Sequence, residues 1–171
     1  MCIRDRLIAP AKLPVRPTTD FAKEALFNIL NNYYYFDELS VLDLFAGTGN
    51  ISYEFASRGC PSLIAVDSHS GCVQFISKTA CELDYPITVL KADVYEYLKR
   101  TVQRFDVIFA DPPYELPMEK FTEITELVFE RDFLNENGTL IIEHSSRTDL
   151  SNLPHFVTSK KYGGCVFSMF E

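Results

Sequence analysis

The chain has 171 residues, 47% apolar and 23% charged, which is the composition of one ordinary globular domain with a sizeable core. Its formal net charge of −8 excludes a polybasic protein that holds nucleic acid through bulk charge. No run approaches the roughly 18 consecutive apolar residues of a membrane-spanning helix, so no membrane contact is expected.

The N-terminal residues 1–6 carry charges with no apolar run behind them, which predicts no signal peptide. Cys2, Cys60, Cys72, Cys81 and Cys165 form no CxxC pair and stand with only three histidines, so no metal site is expected. They read as reduced thiols of a cytoplasmic protein.

Hydrophobic spacing then maps the elements. Phe21, Ala25, Leu26, Ile29, Leu30 and Tyr33 recur at helical spacing behind Thr18-Thr19-Asp20, which offers N-cap residues. Residues 41–45 are a short apolar run, read as a buried strand entering Gly47-Thr48-Gly49 and a helix over about 50–58. A second strand at 63–67 precedes a helix near 72–83, and a third at 87–90 closes at Lys91-Ala92-Asp93. The fourth, 105–110, runs into Asp111-Pro112-Pro113-Tyr114. A helix over about 118–131 and a fifth strand at 138–143 follow. Finally, Phe156-Val157 and the run 166–170 flank Gly163-Gly164, the turn signal of a hairpin.

Strands alternating with helices predict an α/β fold: a parallel sheet covered on both faces, with the hairpin as an antiparallel edge. One domain over 1–171 is expected, with 1–20 as a basic N-terminal extension. In such sheets ligands sit beyond the carboxyl ends of the strands, near the point where strand order reverses.

The first strand end reads Asp43-Leu44-Phe45-Ala46-Gly47-Thr48-Gly49. Its glycines let the backbone approach a ligand, and the helix start offers unpaired N–H groups. Glycines that serve only the tight turn are the other reading. Asp67 stands 18 residues beyond Gly49, where a carboxylate can take both hydroxyls of an adenosine ribose, or else cap the next helix. Asp93 could accept from an adenine amine, or likewise cap a helix. No Gly-Lys-Ser/Thr follows the turn, which excludes a Walker loop, and Ser52 is off pattern for a dinucleotide fingerprint. Asp43 would repel phosphate but suits a cationic group, so S-adenosylmethionine fits these charges better than NAD.

Asp111-Pro112-Pro113-Tyr114 is the most specific feature. Two prolines remove two backbone donors and stiffen the loop. Asp111 and the Pro112 carbonyl can accept both hydrogens of an exocyclic amine, favouring the pyramidal amine that attacks a methyl group. Tyr114 can stack on the base. A proline-rich turn around a buried tyrosine is the alternative.

With these residues the chain resembles a class I, S-adenosylmethionine-dependent methyltransferase. More narrowly it resembles the RsmD family, bacterial 16S ribosomal RNA guanine-N2 methyltransferases. Besides the glycine turn and Asp111–Tyr114, the resemblance rests on Val15-Arg16-Pro17-Thr18-Thr19-Asp20 with Glu24-Ala25-Leu26-Phe27-Asn28-Ile29-Leu30. It covers the chain from about Ala11 to the end. Residues 1–6 do not match the basic, glycine-containing strand with which members usually open.

The resemblance implies a Rossmann-like sheet and a role for each motif. Asp43, Phe45, Ala46, Gly47, Thr48 and Gly49 would hold the methionine end of the cofactor, Asp67 the ribose, and Asp93 with Val94 the adenine. Asp111, Pro112, Pro113 and Tyr114 would hold the target guanine, and Arg16, Thr18, Thr19 and Asp20 would lie over the active site. The implied partner is 16S ribosomal RNA or a small-subunit assembly particle, and a monomer is expected.

Charge is uneven along the chain. Residues 1–23 carry five basic and two acidic residues, whereas 111–136 carry two and eight. Glu119, Glu123, Glu126 and Glu130 share one helical face and read as solvated. The RNA-facing side is therefore expected at Arg16 and Lys23, with Lys160-Lys161 as an addition. A DNA adenine-N6 methylase also uses Asp-Pro-Pro-Tyr, though this chain leaves no room for a sequence-reading domain. An NAD-linked oxidoreductase and an inactive nucleoside-binding module are the readings from other classes.

Overall fold

The computed structural model describes residues 19–171. Thr19 caps α1 (Asp20–Leu30), its Oγ1 accepting the Ala22 N–H at 3.2 Å. The helix stops at Leu30, and Tyr33 lies exposed in the turn beyond it. A single 3-10 turn (Phe36–Glu38) leads into β1 (Ser40–Leu44), α2 (Asn50–Ser57), β2 (Ser62–Asp67), α3 (Ser70–Leu83) and β3 (Ile87–Lys91). Then come α4 (Val94–Arg100), β4 (Phe105–Ala110), α5 (Met118–Glu130), β5 (Leu134–Ser145), β6 (Phe156–Tyr162) and β7 (Cys165–Phe170).

Two elements depart from the expected map. Helix α4 is absent from the periodicity map and foreshadowed only by Asp93 as a possible cap; it buries Val94, Tyr95 and Leu98 in only seven residues, too short a period to stand out. Strand β5 begins at Leu134, ahead of Gly138. Asn137 adopts φ 63° there, and the register slips from Phe105↔Leu134 to Val107↔Thr139, a bulge that lets the strand continue.

The seven strands form one sheet in the order β3-β2-β1-β4-β5-β7-β6. The first five are mutually parallel, and β7 runs antiparallel to both β5 and β6. This is the parallel sheet with a C-terminal antiparallel hairpin that the alternation predicts. Strands β1, β2 and β3 step one way across the sheet and β4 starts on the other side of β1, so strand order reverses between β1 and β4.

Both faces are covered. Val41, Val107, Phe109 and Ile141 pack against Ala22, Leu26 and Phe27 of α1 and Phe55 of α2. Ile76 of α3 joins that face through Tyr53 and Ala65. On the opposite face Leu42, Ile108 and Leu140 meet Leu98 of α4 and Phe121 and Ile124 of α5. The α1–α2 contact centres on Phe27 and Phe55, whose rings meet edge-on at 4.7 Å, with the Arg58 guanidinium 4.9 Å from the Phe27 ring.

Truncation of Phe55 removes an aromatic side chain from a fully buried site, so Phe55→Ala should lower the unfolding free energy by about 3–5 kcal/mol in urea titration. Val102→Ala, at a position 87% exposed, should change it by less than about 0.5 kcal/mol. Equal losses would mean that α2 is not anchored through this ring.

Candidate active site

Because β1 to β4 are parallel, their carboxyl ends share one edge, and a crevice belongs where strand order reverses. The loops leave that edge under backbone control. Ala46 donates its N–H to Val66 O at 3.0 Å, Ala92 to Asp67 O at 3.1 Å, and Asp111 to Leu44 O at 3.3 Å. The 43–49 turn, Asp67, Asp93 and the 111–114 loop are thereby brought together on four neighbouring strands.

The turn after β1 is conformationally demanding. Phe45, Gly47 and Gly49 all have positive φ, 55°, 59° and 86°. Phe45 is the strained member, since only glycine enters this region freely, and its ring rests edge-on 6.3 Å from Tyr95. At Gly49 a Cβ would lie 2.7 Å from Cζ of Tyr53 and 2.8 Å from its hydroxyl. Packing against α2 by itself therefore demands glycine at that position.

Asp67 clamps this turn. One carboxylate oxygen accepts the Gly47 N–H at 2.8 Å and the other accepts the His69 N–H, also at 2.8 Å. The cap of α3 is His69, whose Nδ1 accepts the Cys72 N–H at 3.3 Å, so Asp67 does not cap that helix directly. Each carboxylate oxygen has a second lone pair that a ribose hydroxyl could use. Asp93 does act as a cap: it takes the Glu96 N–H at 3.1 Å and starts α4, whose first residue, Val94, is buried.

Asp43 lies beneath the turn, 2% exposed, and accepts the Ser52 Oγ–H at 2.7 Å. Burial pushes its carboxyl up to about 7; the Ser52 hydroxyl opposes the shift and the Asp67 charge adds to it. Ser52, which the sequence marks only as off pattern for a dinucleotide turn, is thus the residue that holds Asp43. A cation brought close to the pair would favour the ionised form.

In the loop after β4, Asp111 and Tyr114 are half-buried, Pro112 is buried and Pro113 is exposed. The Pro113 carbonyl accepts the Leu116 N–H at 3.0 Å, so it belongs to the turn, and Pro112 supplies the other proline carbonyl. Glu143, fully buried, stands one residue beyond the Ala110↔Ile142 pair and is therefore level with Asp111. Its Oε1 accepts the Cys165 thiol at 3.3 Å. An acidic residue closing the run Leu140-Ile141-Ile142 is a sequence signal for this position, which a reading of the segment as a strand passes over.

The expected RNA-facing residues fare differently. Arg16 and Thr18 lie outside the described residues, Thr19 uses its hydroxyl as a helix cap, and Asp20 is exposed. Lys23 needs correction as a surface contact: its side chain is 7% exposed and its ammonium lies 3.8 Å from Glu54 of α2. An open pocket of about 480 Å³ lies at the other end of the sheet, lined by Ser62, Tyr85, Ile87 and Gln103 among others. None of its lining residues is a carboxylate, histidine, cysteine or lysine. Among the described residues no cluster of three metal-ligating side chains occurs, and Cys60, Cys72, Cys81 and Cys165 are free thiols.

A family model described as conserved hypothetical protein 95 matches residues 2–171. A putative rRNA methyltransferase of Bacillus subtilis is 35% identical over 149 residues, covering 84% of this chain and 79% of that one. The ribosomal RNA small subunit methyltransferase D of Haemophilus influenzae is 29% identical over 143 residues, covering 77% and 72%. Among solved structures, a Thermus thermophilus 16S rRNA N2 G1207 methyltransferase in complex with AdoMet and guanosine superposes with a TM-score of 0.73. It is 20% identical and aligns over 93% of this chain and 45% of its own, a likeness of fold. Matched along nearly its whole length, the chain belongs to the conserved hypothetical protein 95 family, the RsmD family that its motifs resemble.

Proposed function

We propose that this enzyme transfers the methyl group of S-adenosylmethionine to the exocyclic N2 amine of a guanine in 16S ribosomal RNA. The observation that carries this reading is the placement of Asp111–Tyr114 in the loop after β4, across the strand-order reversal from the Asp43–Gly49 turn at the end of β1. Family membership and relatives named as rRNA methyltransferases support the substrate class. The fold neighbour that binds AdoMet and guanosine holds the two kinds of ligand this reading needs.

The donor set fits the cofactor. Asp43 and Asp67 place two carboxyl groups at the turn, which disfavours a phosphate and suits an ammonium or sulfonium. Asp67 would take the ribose while continuing to hold Gly47, and Asp93 with Val94 would border the adenine. When bound, the cofactor supplies an activated methyl group and a neutral thioether leaving group.

The chain's own residues then have to position the amine. Asp111 and the Pro112 carbonyl accept its two hydrogens, drawing the lone pair out of conjugation with the ring, and Tyr114 stacks on the base. These hydrogen bonds strengthen as nitrogen turns pyramidal, so they favour the transition state over the ground state. An amine so held would receive the methyl group with the neutral thioether as leaving group, and its surplus proton would pass to water.

The cofactor assignment is tested by titration calorimetry. S-adenosylhomocysteine should bind, and Asp67→Ala should weaken it at least about tenfold, because a charge-assisted acceptor and the Gly47 clamp are lost together. A wild type that binds NADH and ignores S-adenosylhomocysteine would sink the reading.

Catalysis should be lost without loss of cofactor. Asp111→Ala should lower kcat by about 10²-fold or more at nearly unchanged S-adenosylhomocysteine affinity, and Asp111→Asn should retain more activity. Tyr114→Phe should be mild and Tyr114→Ala severe, as measured by tritium transfer. If the two tyrosine variants are equally damaged, the hydroxyl takes part in the chemistry and the stacking role is wrong.

Asp43 links cofactor, pH and stability. With burial pushing its carboxyl up to about 7, against 3.8 for an ordinary aspartate, the folded state holds an extra proton between those values. Stability conferred by that proton is complete below the lower value and is lost as pH rises through the upper one. Asp43→Asn should therefore gain stability over the wild type between pH 4 and 8, by up to about 4 kcal/mol in urea titration. Cofactor binding to the wild type near pH 7 should release a proton, detected calorimetrically in buffers of different ionisation enthalpy. Parallel pH profiles for variant and wild type would mean that Asp43 stays ionised throughout.

A further inference from the structure

Away from Lys23, the tip of the C-terminal hairpin carries the exposed Lys160 and Lys161 and the half-buried Tyr162. Strand β7 runs antiparallel to β5 with Ser145 opposite Cys165, so the turn between Tyr162 and Cys165 reaches the same sheet edge as Asp111. Ser146 donates its N–H to Gly164 O at 3.2 Å and ties the tip to the end of β5. Three strand spacings separate β4 from β6, about 14 Å, a span of a few nucleotides along one RNA strand.

Phe21 meets this tip. It is 70% exposed, in the first turn of a helix that buries Ala22, Leu26, Phe27 and Leu30, so core packing does not account for it. Its ring lies 5.9 Å from that of Tyr162, nearly perpendicular, while Tyr162 is anchored at 6.0 Å on buried Phe167. Lys160 pairs with Phe167 and Tyr162 with Cys165, which places both side chains on the face of the sheet covered by α1. Lys161, between them, points to the other face. Both lysines are exposed, and neither is in an ion pair among the described residues. In a chain of net charge −8, residues 156–170 carry these two lysines and no acidic residue.

We propose that Phe21, Tyr162 and Lys160 form a platform for the single-stranded RNA that flanks the target guanine. Phe21 stacks on a base and Lys160 meets a phosphate. Exposed aromatic rings beside a cation suit unpaired nucleotides, because every base has a face to stack and every linkage a charge to neutralise. Asp20, exposed beside Phe21 on α1, turns phosphates toward the lysine side and leaves the ring to the base. The inference rests on the rRNA methyltransferase reading and adds to it where the substrate is gripped.

The test is steady-state methyl transfer from tritiated S-adenosylmethionine to unmodified 16S rRNA, both free and assembled with small-subunit proteins. Phe21→Ala should raise the KM for RNA about 5- to 50-fold, with kcat and S-adenosylhomocysteine affinity unchanged, and Phe21→Tyr should restore it. Lys160→Gln should raise KM and flatten its salt dependence by about 0.7 in log–log slope, whereas Lys161→Gln should do so less. Unchanged KM in Phe21→Ala and Lys160→Gln, with an active wild type, would overturn the platform and leave the function standing. Equal effects of the two lysine variants would overturn it too, pointing to bulk charge instead of a face. A wild type that methylates neither form of rRNA would remove the functional reading and the platform with it.

Discussion

Parallel pairing of β1 with both β2 and β4 is the constraint on which the rest of this molecule depends. Parallel strands cannot be joined by a tight turn, so each must be followed by a crossover that returns the chain to the starting edge. Every loop that leaves a carboxyl end therefore emerges on one side of the molecule. The same constraint requires apolar cover on both faces, supplied by α1, α2 and α3 on one side and α4 and α5 on the other. Site and core thus follow from one topological choice.

The edge so assembled carries features that folding alone does not favour. Asp43 is a buried carboxyl held by Ser52, and Phe45 occupies a left-handed conformation next to it. Departures of this kind cluster where a ligand compensates them. Asp67 shows how tightly structure and chemistry are joined. The carboxylate we propose for the ribose also fixes the Gly47 amide, so on that reading the cofactor and the turn would share one anchor.

An acidic protein that acts on RNA must keep its negative charge away from the substrate. Glu119, Glu126 and Glu130 lie exposed on α5, and α5 covers the face of the sheet opposite α1. Glu123 of the same helix is partly neutralised by Lys120 and Lys99. The face that carries Phe21, Tyr162 and Lys160 lies on the other side of the sheet from these glutamates. Net charge is therefore a poor guide to this molecule, and the distribution of charge over its two faces is a better one.

The amino-acid sequence by itself determined whatever depends on local spacing. Alternating apolar runs gave the strand–helix order, the polar residues ending those runs marked the candidate site, and Gly163-Gly164 marked the hairpin. Thr19 and Asp93 were legible as caps because a cap is satisfied within its own helix turn. Only the tertiary structure decided which side chains meet across elements. Lys23 is an ordinary helical lysine until α2 packs beside α1 and brings Glu54 to it. Asp67 becomes a clamp only once β2 pairs with β1 and puts the turn within reach. Phe21 acquires Tyr162 because α1 and the hairpin converge on one face of the sheet. A backbone hydrogen-bond period is written into neighbouring residues, whereas a side chain's partner depends on which faces pack together, and no local period encodes that.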